Sequence, residues 1–378
     1  MKKKIIVFIS NFLEHHSLPL CESFINANND VYYISTCKTP KKRLAMGYDD
    51  MNEIYNFVIP VYKGVKYKKI AKNIIKKADL VIYDGVWGKW YSICKRNKIP
   101  TMRISERFLK GNVGKVVKTL KIFKYYLLSF REKNTLLLCC GKYAAEDFRL
   151  TKHYSNNMLK FGYFPKTEIV DYNSCSKIDN TIIWVGRLID WKHPELICSL
   201  SEHLASKNIS FKIGVVGGGA MFNAVKEMVN NNKDISDKVD FYGPLNHVDV
   251  RKKMKQATIH ILTSDSNEGW GAVLNESMNS YCIPVANSGT GASTYLIKDK
   301  VNGFCFNDEK SFFEIIENLL TNKEQNTEIA FNAYRTIVDK WNSDVCIERI
   351  LKLLEFFDGD ILAKKEIFNE GPLSLEKV

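Results

Sequence analysis

Residues 260–286 have the sequence HILTSDSNEGWGAVLNESMNSYCIPVA, and this stretch decides the fold class. It begins with a short apolar run, His260–Thr263, and continues through a polar loop with two glycines into residues with helical spacing. It ends with a second apolar run, Ile283–Ala286. A strand, a helix and a strand in this order predict a parallel β-sheet that is covered by helices.

The same alternation extends over the whole chain of 378 residues. Nine further apolar runs have the length of buried strands, and longer stretches with helical spacing separate them. Eleven strands are too many for one ordinary sheet, so we predict five strands in a first domain and six in a second. Both domains are expected to be Rossmann-like α/β domains. The nine runs are Ile5–Ile9, Val31–Ile34, Leu80–Tyr83, Thr101–Ile104, Leu136–Cys140, Thr181–Val185, Phe211–Val216, Val239–Tyr242 and Gly303–Phe306.

The boundary between the two domains is expected in residues 165–180, PKTEIVDYNSCSKIDN. This stretch is polar, has no apolar periodicity and contains turn-forming residues. We therefore predict an N-terminal domain over residues 1–170 and a C-terminal domain over residues 171–340. Residues 341–378 remain as a helical C-terminal segment.

The first ten residues, MKKKIIVFIS, predict a strand that follows a lysine-rich start, because the apolar run is too short for a signal peptide and no cleavage site follows. No apolar run reaches the ~20 residues that span a bilayer. The ten cysteines form no Cys-x-x-Cys pair, which indicates reduced thiols in a cytoplasmic protein.

Charge is distributed unevenly along the chain, whose net charge is +13. Residues 1–170 contain 32 Lys and Arg against 13 Asp and Glu, whereas the remainder contains 23 against 29. A basic half favours an anionic partner such as phospholipid head groups, a lipid-linked diphosphate or nucleic acid. A general surface excess of lysine is the alternative. No nucleic-acid-binding motif accompanies the charge, so no nucleic-acid partner is expected.

Residues 115–131, KVVKTLKIFKYYLLSFR, predict an amphipathic helix with a basic border. Such a helix can lie in a membrane interface, or it can pack its apolar stripe against the core and leave its lysines in water. The sequence leaves both interpretations open. The stripe has 4-3-4-3 spacing and consists of Val116, Leu120, Phe123, Leu127 and Phe130.

Two glutamates, Glu268 and Glu276, are eight residues apart around the start of the predicted helix. Free backbone N–H groups at such a start favour anions, and flanking glycines let the backbone approach a diphosphate. Glu276 is suited to binding a ribose and Glu268 to binding a transferred sugar, although helix capping or surface ion pairs would explain either. The loop residues are Glu268, Gly269, Trp270, Gly271, Ala272 and Val273.

A second motif, VGRLIDWKHP at 185–194, ends a predicted strand at Gly186 and brings in Arg187 and Lys192. Ligands bind at the carboxyl ends of strands in open α/β sheets, and the departure of a diphosphate requires positive charge. Arg187 offers a bidentate fork and Lys192 a point charge.

Two weaker turns complete the candidate site. Gly217 and Gly218 follow a strand in VVGGG, and Pro244 and Leu245 end the turn FYGPL, which either holds a nucleobase edge or is only a turn. Neither spells G-x-G-x-x-G, which argues against a hydride-transferring dinucleotide enzyme.

In this order, the motifs of residues 180–306 resemble glycosyltransferase family 4, which has the GT-B fold with two Rossmann-like domains facing across a cleft. The resemblance implies transfer with retention of configuration from a nucleotide-diphosphate sugar, with UDP- or GDP-sugars as expected donors. It also implies that no cofactor and no metal is needed. Asp358-Gly359-Asp360 is accordingly interpreted as a turn and not as a metal motif.

The resemblance assigns roles to these residues. Arg187 and Lys192 would bind the donor diphosphate and stabilise the leaving nucleotide, Glu276 would bind the ribose, and Glu268 would hold the sugar. Backbone donors would come from residues 269–273. The helical stretch near Trp341 resembles the segment that crosses back to the first domain in such folds.

The first half departs from the family pattern. The usual glycine pair after the first strand is replaced by Ser10-Asn11-Phe12-Leu13-Glu14-His15-His16, and the usual histidine after Thr101–Ile104 is replaced by Ser105-Glu106-Arg107. Glu106 is a candidate for the polar catalytic role, with direct proton transfer to the leaving phosphate as the alternative. Asn11 and His15 are candidates for contact with the acceptor.

These observations predict a glycosyltransferase that acts on a saccharide acceptor, expected to be lipid-linked, in the biosynthesis of a surface polysaccharide. We expect peripheral attachment to the anionic inner face of the cell membrane. A catalytically inactive partner subunit that binds sugar nucleotides and a GT-B nucleotide-sugar epimerase are the alternatives.

Overall fold

The computed structural model describes residues 2–45, 49–85, 89–111, 114–130, 132, 135–154, 157–356 and 367–376. The chain divides into two compact units. The first unit comprises Met1–Lys166 together with Trp341–Val378, and the second comprises Thr167–Lys340. The chain therefore leaves the first unit once and returns to it.

The sheet of the first unit has seven parallel strands in the order β3-β2-β1-β4-β5-β6-β7. Two of them, β3 and β7, were missing from the sequence prediction of five. Both are short and lie at the two edges of the sheet; β3 contains a proline and β7 a lysine, so neither forms a continuous apolar run. The strands are β1 (Ile5–Ser10), β2 (Asp30–Ser35), β3 (Val58–Pro60), β4 (Leu80–Asp84), β5 (Thr101–Ser105), β6 (Thr135–Cys140) and β7 (Met158–Phe161).

The sheet of the second unit has six parallel strands in the order β10-β9-β8-β11-β12-β13. All six predicted strands are present, although β11 begins three residues before the predicted start and ends at Leu262. The strands are β8 (Ile178–Val185), β9 (Lys212–Val216), β10 (Val239–Gly243), β11 (Ala257–Leu262), β12 (Ile283–Asn287) and β13 (Phe304–Phe306).

Helices connect the strands in both units. In chain order they are α1 (Leu18–Asn26), α2 (Lys41–Ala45), α3 (Met51–Ile54), α4 (Val65–Ile75), α5 (Lys89–Arg96), α6 (Lys115–Phe130), α7 (Lys142–Arg149), α8 (Leu196–Ser206), α9 (Phe222–Asn230), α10 (His247–Gln256), α11 (Val273–Met278), α12 (Ser293–Leu296), α13 (Glu309–Thr321), α14 (Asn326–Arg335) and α15 (Ser343–Glu355).

The sheet of the second unit is buried on both faces. Ile182 and Trp184 of β8 belong to one apolar cluster, and Ile183 of the same strand belongs to another. Side chains alternate between the two faces of a strand, so a strand covered by helices on both sides needs an uninterrupted apolar run. This is why these strands were recognisable in the sequence.

Strand order reverses at one point in each sheet. The reversal lies between β1 and β4 in the first sheet and between β8 and β11 in the second. Loops after adjacent strands turn to opposite faces there, which opens a crevice at the carboxyl ends of the strands. The two candidate sites described below lie at these two points.

The C-terminal segment belongs to the first unit. The Ser23 hydroxyl in α1 donates to the Asp344 carboxylate at 2.6 Å and bonds to the Ser343 hydroxyl at 2.8 Å, both in α15. Further on, the Leu373 amide donates to the Lys160 carbonyl of β7 at 2.7 Å, and the Lys160 amide donates back to Ser374 at 2.9 Å. The predicted turn at 358–360 and the end of the segment at 377–378 lie outside the described residues.

Helix α6 turns its apolar stripe towards solvent. Leu120 is 62% exposed and Phe123 58%, and Val116 and Leu127 are also exposed. The opposite face of the helix packs through Ile122 on the core of the first unit. The interpretation of the stripe as a core contact is therefore wrong for these four residues, while Phe130 and Arg131 lie outside the described side chains. No helix among the described residues is long and apolar enough to cross a membrane.

Candidate functional site

Backbone hydrogen bonds join the loops that follow β8, β9 and β10. The Gly186 amide donates to the Val216 carbonyl at 3.0 Å, and the Gly217 amide donates to the Gly243 carbonyl at 2.8 Å. The Leu188 amide donates to the Gly218 carbonyl at 3.0 Å. These bonds fix three strand ends against one another and use the amide of Gly217, which is therefore not available to a ligand.

Gly217 has no room for a side chain. Its φ of +132° lies in the region that favours glycine, and a Cβ there would stand 1.8 Å from the Gly186 carbonyl oxygen. At Gly218 a Cβ would meet the exposed Pro244 ring at 3.1 Å, which is tight but less severe. Leu245 is half-buried against the neighbouring apolar cluster. The structure thus explains the glycines by close approach of the loops to one another.

Lys192 and Glu268 are 76 residues apart in the chain and form an ion pair. Both side chains are largely buried, with 11% and 16% exposed. The Ser264 hydroxyl donates to the same Glu268 carboxylate oxygen at 3.2 Å and lies 3.4 Å from the lysine ammonium. A cation and a carboxylate predicted from separate motifs are therefore in direct contact at the reversal between β8 and β11.

The backbone around Lys192 is held on both sides. The Asp265 amide donates to the Trp191 carbonyl at 3.0 Å, and the Thr263 hydroxyl donates to the Lys192 carbonyl. His193, with a left-handed φ of 47°, has its imidazole 2.9 Å from the Glu195 carboxylate. Partial burial alone would lower the pKa of His193, but hydrogen bonds to Glu195 and Asp265 raise it overall.

Arg187 and Lys192 share one aromatic neighbour. The Arg187 guanidinium carbon lies 6.0 Å from the centre of the Trp191 ring, and the Lys192 ammonium lies 4.8 Å from it. Arg187 is exposed, whereas Lys192 is buried. The site therefore has one fixed cation and one accessible cation on the same indole.

The loop before α11 keeps several amides unused. The N–H groups of Gly269, Gly271 and Ala272 donate to no acceptor in the described part of the chain, whereas the Glu268 amide donates to the Asp265 carbonyl at 3.0 Å. Gly271 adopts a φ of +95°, which requires glycine or strain. Val273 is the first residue of α11. The loop therefore offers backbone donors next to the Lys192–Glu268 pair.

The Trp270 side chain points away from solvent, although Trp270 belongs to the loop before α11. It is completely buried, and its indole N–H donates to the Asn275 side chain at 2.9 Å. Glu276 lies in the first turn of the short helix α11. The Glu276 carbonyl accepts from the buried Arg251 guanidinium at 2.6 Å, which fixes the far end of the helix.

His260 lies beneath the site in β11 and is fully buried. Its two ring nitrogens have no hydrogen-bond partner among the described residues. Burial, and secondly the charge of Lys192, lower its pKa to about 3. His260 is therefore neutral at physiological pH.

The first unit has a cavity at the reversal between β1 and β4. Its volume is about 30 Å³, and Glu14, His16, Asp84 and Tyr163 are among the residues that line it. Glu106 lies beside it, because its carboxylate accepts from the Tyr163 hydroxyl at 2.8 Å. The predicted catalytic candidate Glu106 is therefore part of a cluster of carboxylates, an imidazole and a phenol.

Asn11 and His15 are exposed and are not among the residues that line this cavity. His16, Asp84 and Tyr163 were not predicted from the sequence. Asp84 is the last residue of a buried strand, and a polar residue at that place was the one signal that pointed to it. His16 and Tyr163 are 147 residues apart, and no short motif connects them.

Among the described residues, no group of three or more His, Cys, Asp or Glu side chains is arranged to hold a metal ion.

Residues 165–336 match the family model described as Glycosyl transferases group 1. The chain contains a glycosyltransferase group 1 domain. This domain corresponds to the second unit, with the Lys192–Glu268 pair inside it. The enzyme class of the chain is therefore glycosyltransferase.

Solved glycosyltransferase structures have the same fold. HepE from Anabaena, determined in complex with UDP, is 15% identical, has a TM-score of 0.66 and covers 93% of this chain and 100% of its own. A glycosyltransferase from Rickettsia africae is 17% identical, has a TM-score of 0.68 and covers 94% and 99%. The lipopolysaccharide outer core galactosyltransferase WaaB is 15% identical, has a TM-score of 0.63 and covers 93% and 99%.

These likenesses confirm the predicted GT-B fold class with its two parallel-sheet domains. No curated protein matches the sequence.

Proposed function

We propose that this chain is a retaining glycosyltransferase of the family 4 type, which transfers a sugar from a nucleotide-diphosphate donor to a saccharide. The observation that carries the proposal is the buried Lys192–Glu268 ion pair, with Arg187 and the unused loop amides beside it. Two cations and several amides suit a diphosphate, and a carboxylate next to them suits the hydroxyls of a sugar.

The ion pair has a defined part in donor binding. A buried cation and a buried carboxylate stabilise each other, and removing either one leaves the other unpaired. A donor phosphate can replace Glu268 as the partner of Lys192, which frees Glu268 to accept hydrogen bonds from sugar hydroxyls. The contacts of the donor with Lys192 and Glu268 would thus take the place of the ion pair between these two residues, so that little electrostatic free energy is lost on binding.

Charge stabilisation of the leaving nucleotide would come from Lys192 and Arg187. Lys192 is buried beside Trp191, and Arg187 is exposed next to the same ring. Fixed charges in a site with little water stabilise a developing negative charge more than mobile ones do. This supports a reaction without a metal ion. Glu276, in the first turn of α11, is proposed to bind the ribose.

UDP is the first nucleotide to test, because structures of HepE contain UDP, UDP with glucose, or UDP-glucose. Unfolding should be followed with UDP, GDP, ADP and TDP present in turn. A nucleoside diphosphate that binds only the folded state raises the melting temperature. At a ligand concentration one hundred times its Kd, it adds about 2.7 kcal/mol to the free energy of unfolding. Hydrolysis and transfer from the matching sugar donor are then measured.

Lys192→Met and Arg187→Met test the assignment. Each should lower turnover of the donor at least tenfold, equivalent to ~1.4 kcal/mol or more in the barrier. The matched control is Lys207→Met, which removes an exposed cation paired with Glu317 in the same unit and should leave turnover unchanged. Normal donor kinetics in both site variants would refute the proposal.

The reaction products distinguish a retaining transferase from an inactive partner subunit and from an epimerase. Transfer should give a glycoside with the anomeric configuration of the donor, visible by NMR, and should persist in EDTA. Nucleotide-sugar binding with no turnover towards any acceptor would instead support an inactive partner subunit. Conversion of one nucleotide sugar into another would support an epimerase.

The acceptor is proposed to be lipid-linked and to lie at an anionic membrane surface on the cytoplasmic side. Support comes from α6, where exposed Leu120 and Phe123 lie between Lys118, Lys121 and Lys124. Apolar side chains bordered by cations match an interface of anionic lipids. The similarity of fold to the lipopolysaccharide enzyme WaaB supports a role in surface polysaccharide synthesis.

Sedimentation with vesicles tests the membrane proposal. The protein should bind vesicles rich in phosphatidylglycerol at low salt and bind neutral vesicles weakly. Leu120→Ser with Phe123→Ser should abolish binding, whereas Val65→Ser, at an even more exposed apolar residue at the start of α4, should not. Equal binding of both variants would rule out α6 as the contact.

A further inference from the structure

The cavity of the first unit has a chemistry opposite to that of the unit as a whole. The unit carries a large excess of lysine, yet the cavity wall contains Glu14 and Asp84 and has Glu106 beside it. Only one histidine, His16, is among the lining residues. A ligand that fits this acidic cavity therefore differs in charge from an anionic ligand that binds the basic surface of α6.

Two of the three carboxylates are already neutralised. Glu14 pairs with the His16 imidazole at 2.7 Å and with the Arg43 guanidinium at 2.7 Å. Glu106 pairs with the Lys110 ammonium and accepts from the Tyr163 hydroxyl. Both are occupied within the protein.

Asp84 differs from them, since it has neither an ion pair nor a hydrogen-bonded partner in the described part of the chain. Burial, and secondly the repulsion of Glu106, raise its pKa to about 6. It is ionised at neutral pH, and a shielded carboxylate without donors is costly unless a ligand or water supplies them. Charged and titratable groups reach it from every neighbouring element: Glu14, His16, Tyr33, Arg103, Glu106, Cys140 and Tyr163.

The size of the cavity limits what can enter. A volume of about 30 Å³ exceeds the ~10–15 Å³ needed for one water but is far below that of a sugar ring. A hydroxyl or a hydroxymethyl group fits this space. His16 and Tyr163 stack at 4.0 Å between ring centres and are both half-buried, so a sugar ring attached to that group can rest against them.

We infer that this cavity binds one hydroxyl-bearing group of the acceptor saccharide through Asp84, and that its acidic wall rejects acceptor ends that carry phosphate. The inference rests on the proposed function and specifies the chemistry of the acceptor end. The hydroxyl donates its hydrogen bond to the Asp84 carboxylate. A phosphate would bring two further negative charges and more volume than the cavity has.

Saturation-transfer NMR on the full chain tests the inference. The probes are glucose, galactose and N-acetylglucosamine at millimolar concentration, each compared with its 6-phosphate. At least one neutral sugar should bind, and its 6-phosphate should bind at least tenfold more weakly. Binding of the neutral sugar should weaken as the pH falls through about 6, because protonated Asp84 is a weaker hydrogen-bond acceptor than the carboxylate.

Three variants complete the test. Asp84→Leu should weaken binding of the neutral sugar at least tenfold, and Asp84→Asn should abolish the pH dependence. The matched control Glu53→Gln, at an exposed carboxylate of the same unit, should change neither. Affinity for the nucleoside diphosphate is measured in parallel and should remain constant in all three.

Absence of binding by every neutral probe, equal binding of the 6-phosphates, or an Asp84→Leu affinity within twofold of the original would each overturn the inference. Absence of nucleotide binding by the unmodified chain would instead refute the proposed function. Failure of the inference and failure of the proposed function are therefore distinguishable.

Discussion

The two units have their candidate sites at the same position in the fold, but one site is formed mainly by backbone and the other by side chains. Each site lies where strand order reverses, between β1 and β4 or between β8 and β11. In the second unit, glycines and backbone hydrogen bonds determine the shape, and one ion pair occupies it. In the first unit, side chains from four separate strand ends determine both the shape and the charge of the site.

This difference explains why one site was visible in the sequence and the other was not. A loop that approaches another backbone closely needs glycine at fixed positions, so it leaves a short motif. A cluster of side chains needs only residues of suitable chemistry at separate strand ends. Asp84 leaves only the weak signal of a polar residue at the end of a buried strand, and Tyr163 leaves none.

The largest effect is expected from Gly217→Ala. The new Cβ would stand 1.8 Å from the Gly186 carbonyl oxygen, so the loops must separate. We expect destabilisation of more than ~3 kcal/mol and loss of nucleotide binding. Gly243→Ala is the control, because Gly243 also has a positive φ, of +68°, but has open space around it, and should cost only ~1–2 kcal/mol. Equal losses in denaturant melts would show that strain alone matters.

A smaller effect of opposite sign is expected from Asp84→Asn. The folded chain raises the pKa of Asp84 from 3.8 to about 6, so folding is penalised wherever the carboxylate is ionised. Asparagine removes the penalty and should stabilise the chain by on the order of 1–2 kcal/mol at pH 7.5, allowing for partial exposure. The gain should disappear below pH 4. Destabilisation at pH 7.5 would contradict the description of Asp84 as unpartnered.

The smallest effect is expected at the edge of the second site, from His193→Asn. Asparagine tolerates the left-handed φ of 47°, so the backbone should not change. The pKa of His193 is raised in the folded chain, so its contribution to stability is fully present below the ordinary pKa and is lost as the pH rises through the raised pKa. Thermal melts should show a loss at pH 5.5 and none at pH 8.5. A loss of similar size at both values would indicate packing as the cause.

The sequence predicted the second unit better than the first for physical reasons. All six strands of the second sheet were recognised, because both faces are buried. In the first sheet the edge strands β3 and β7 were missed, because edge strands need less apolar sequence. Lys192 and Glu268 were both named as candidates, yet their direct contact was not predicted, since it depends on the order of β8 and β11.

Burial was the property that the sequence described least well. Trp270 was named only among the residues that supply backbone donors, and the sequence did not indicate that its indole is enclosed and bonded to Asn275. Leu120 and Phe123 were left open between core and surface, and they are exposed. A helical stripe specifies which residues share a face and leaves open what covers it, so tertiary structure was needed in both cases.

The return of the chain to the first unit has a consequence for biosynthesis. Residues 167–340 form one continuous unit, whereas the first unit needs α15 and residues 373–376, which are translated after the second unit. On the ribosome the second unit can therefore fold before the first is complete, reversing the usual order. Until then the edge of β7 lacks its covering segment and can pair with other chains. We expect truncation before residue 371 to produce aggregation, and residues 167–340 to fold when produced alone.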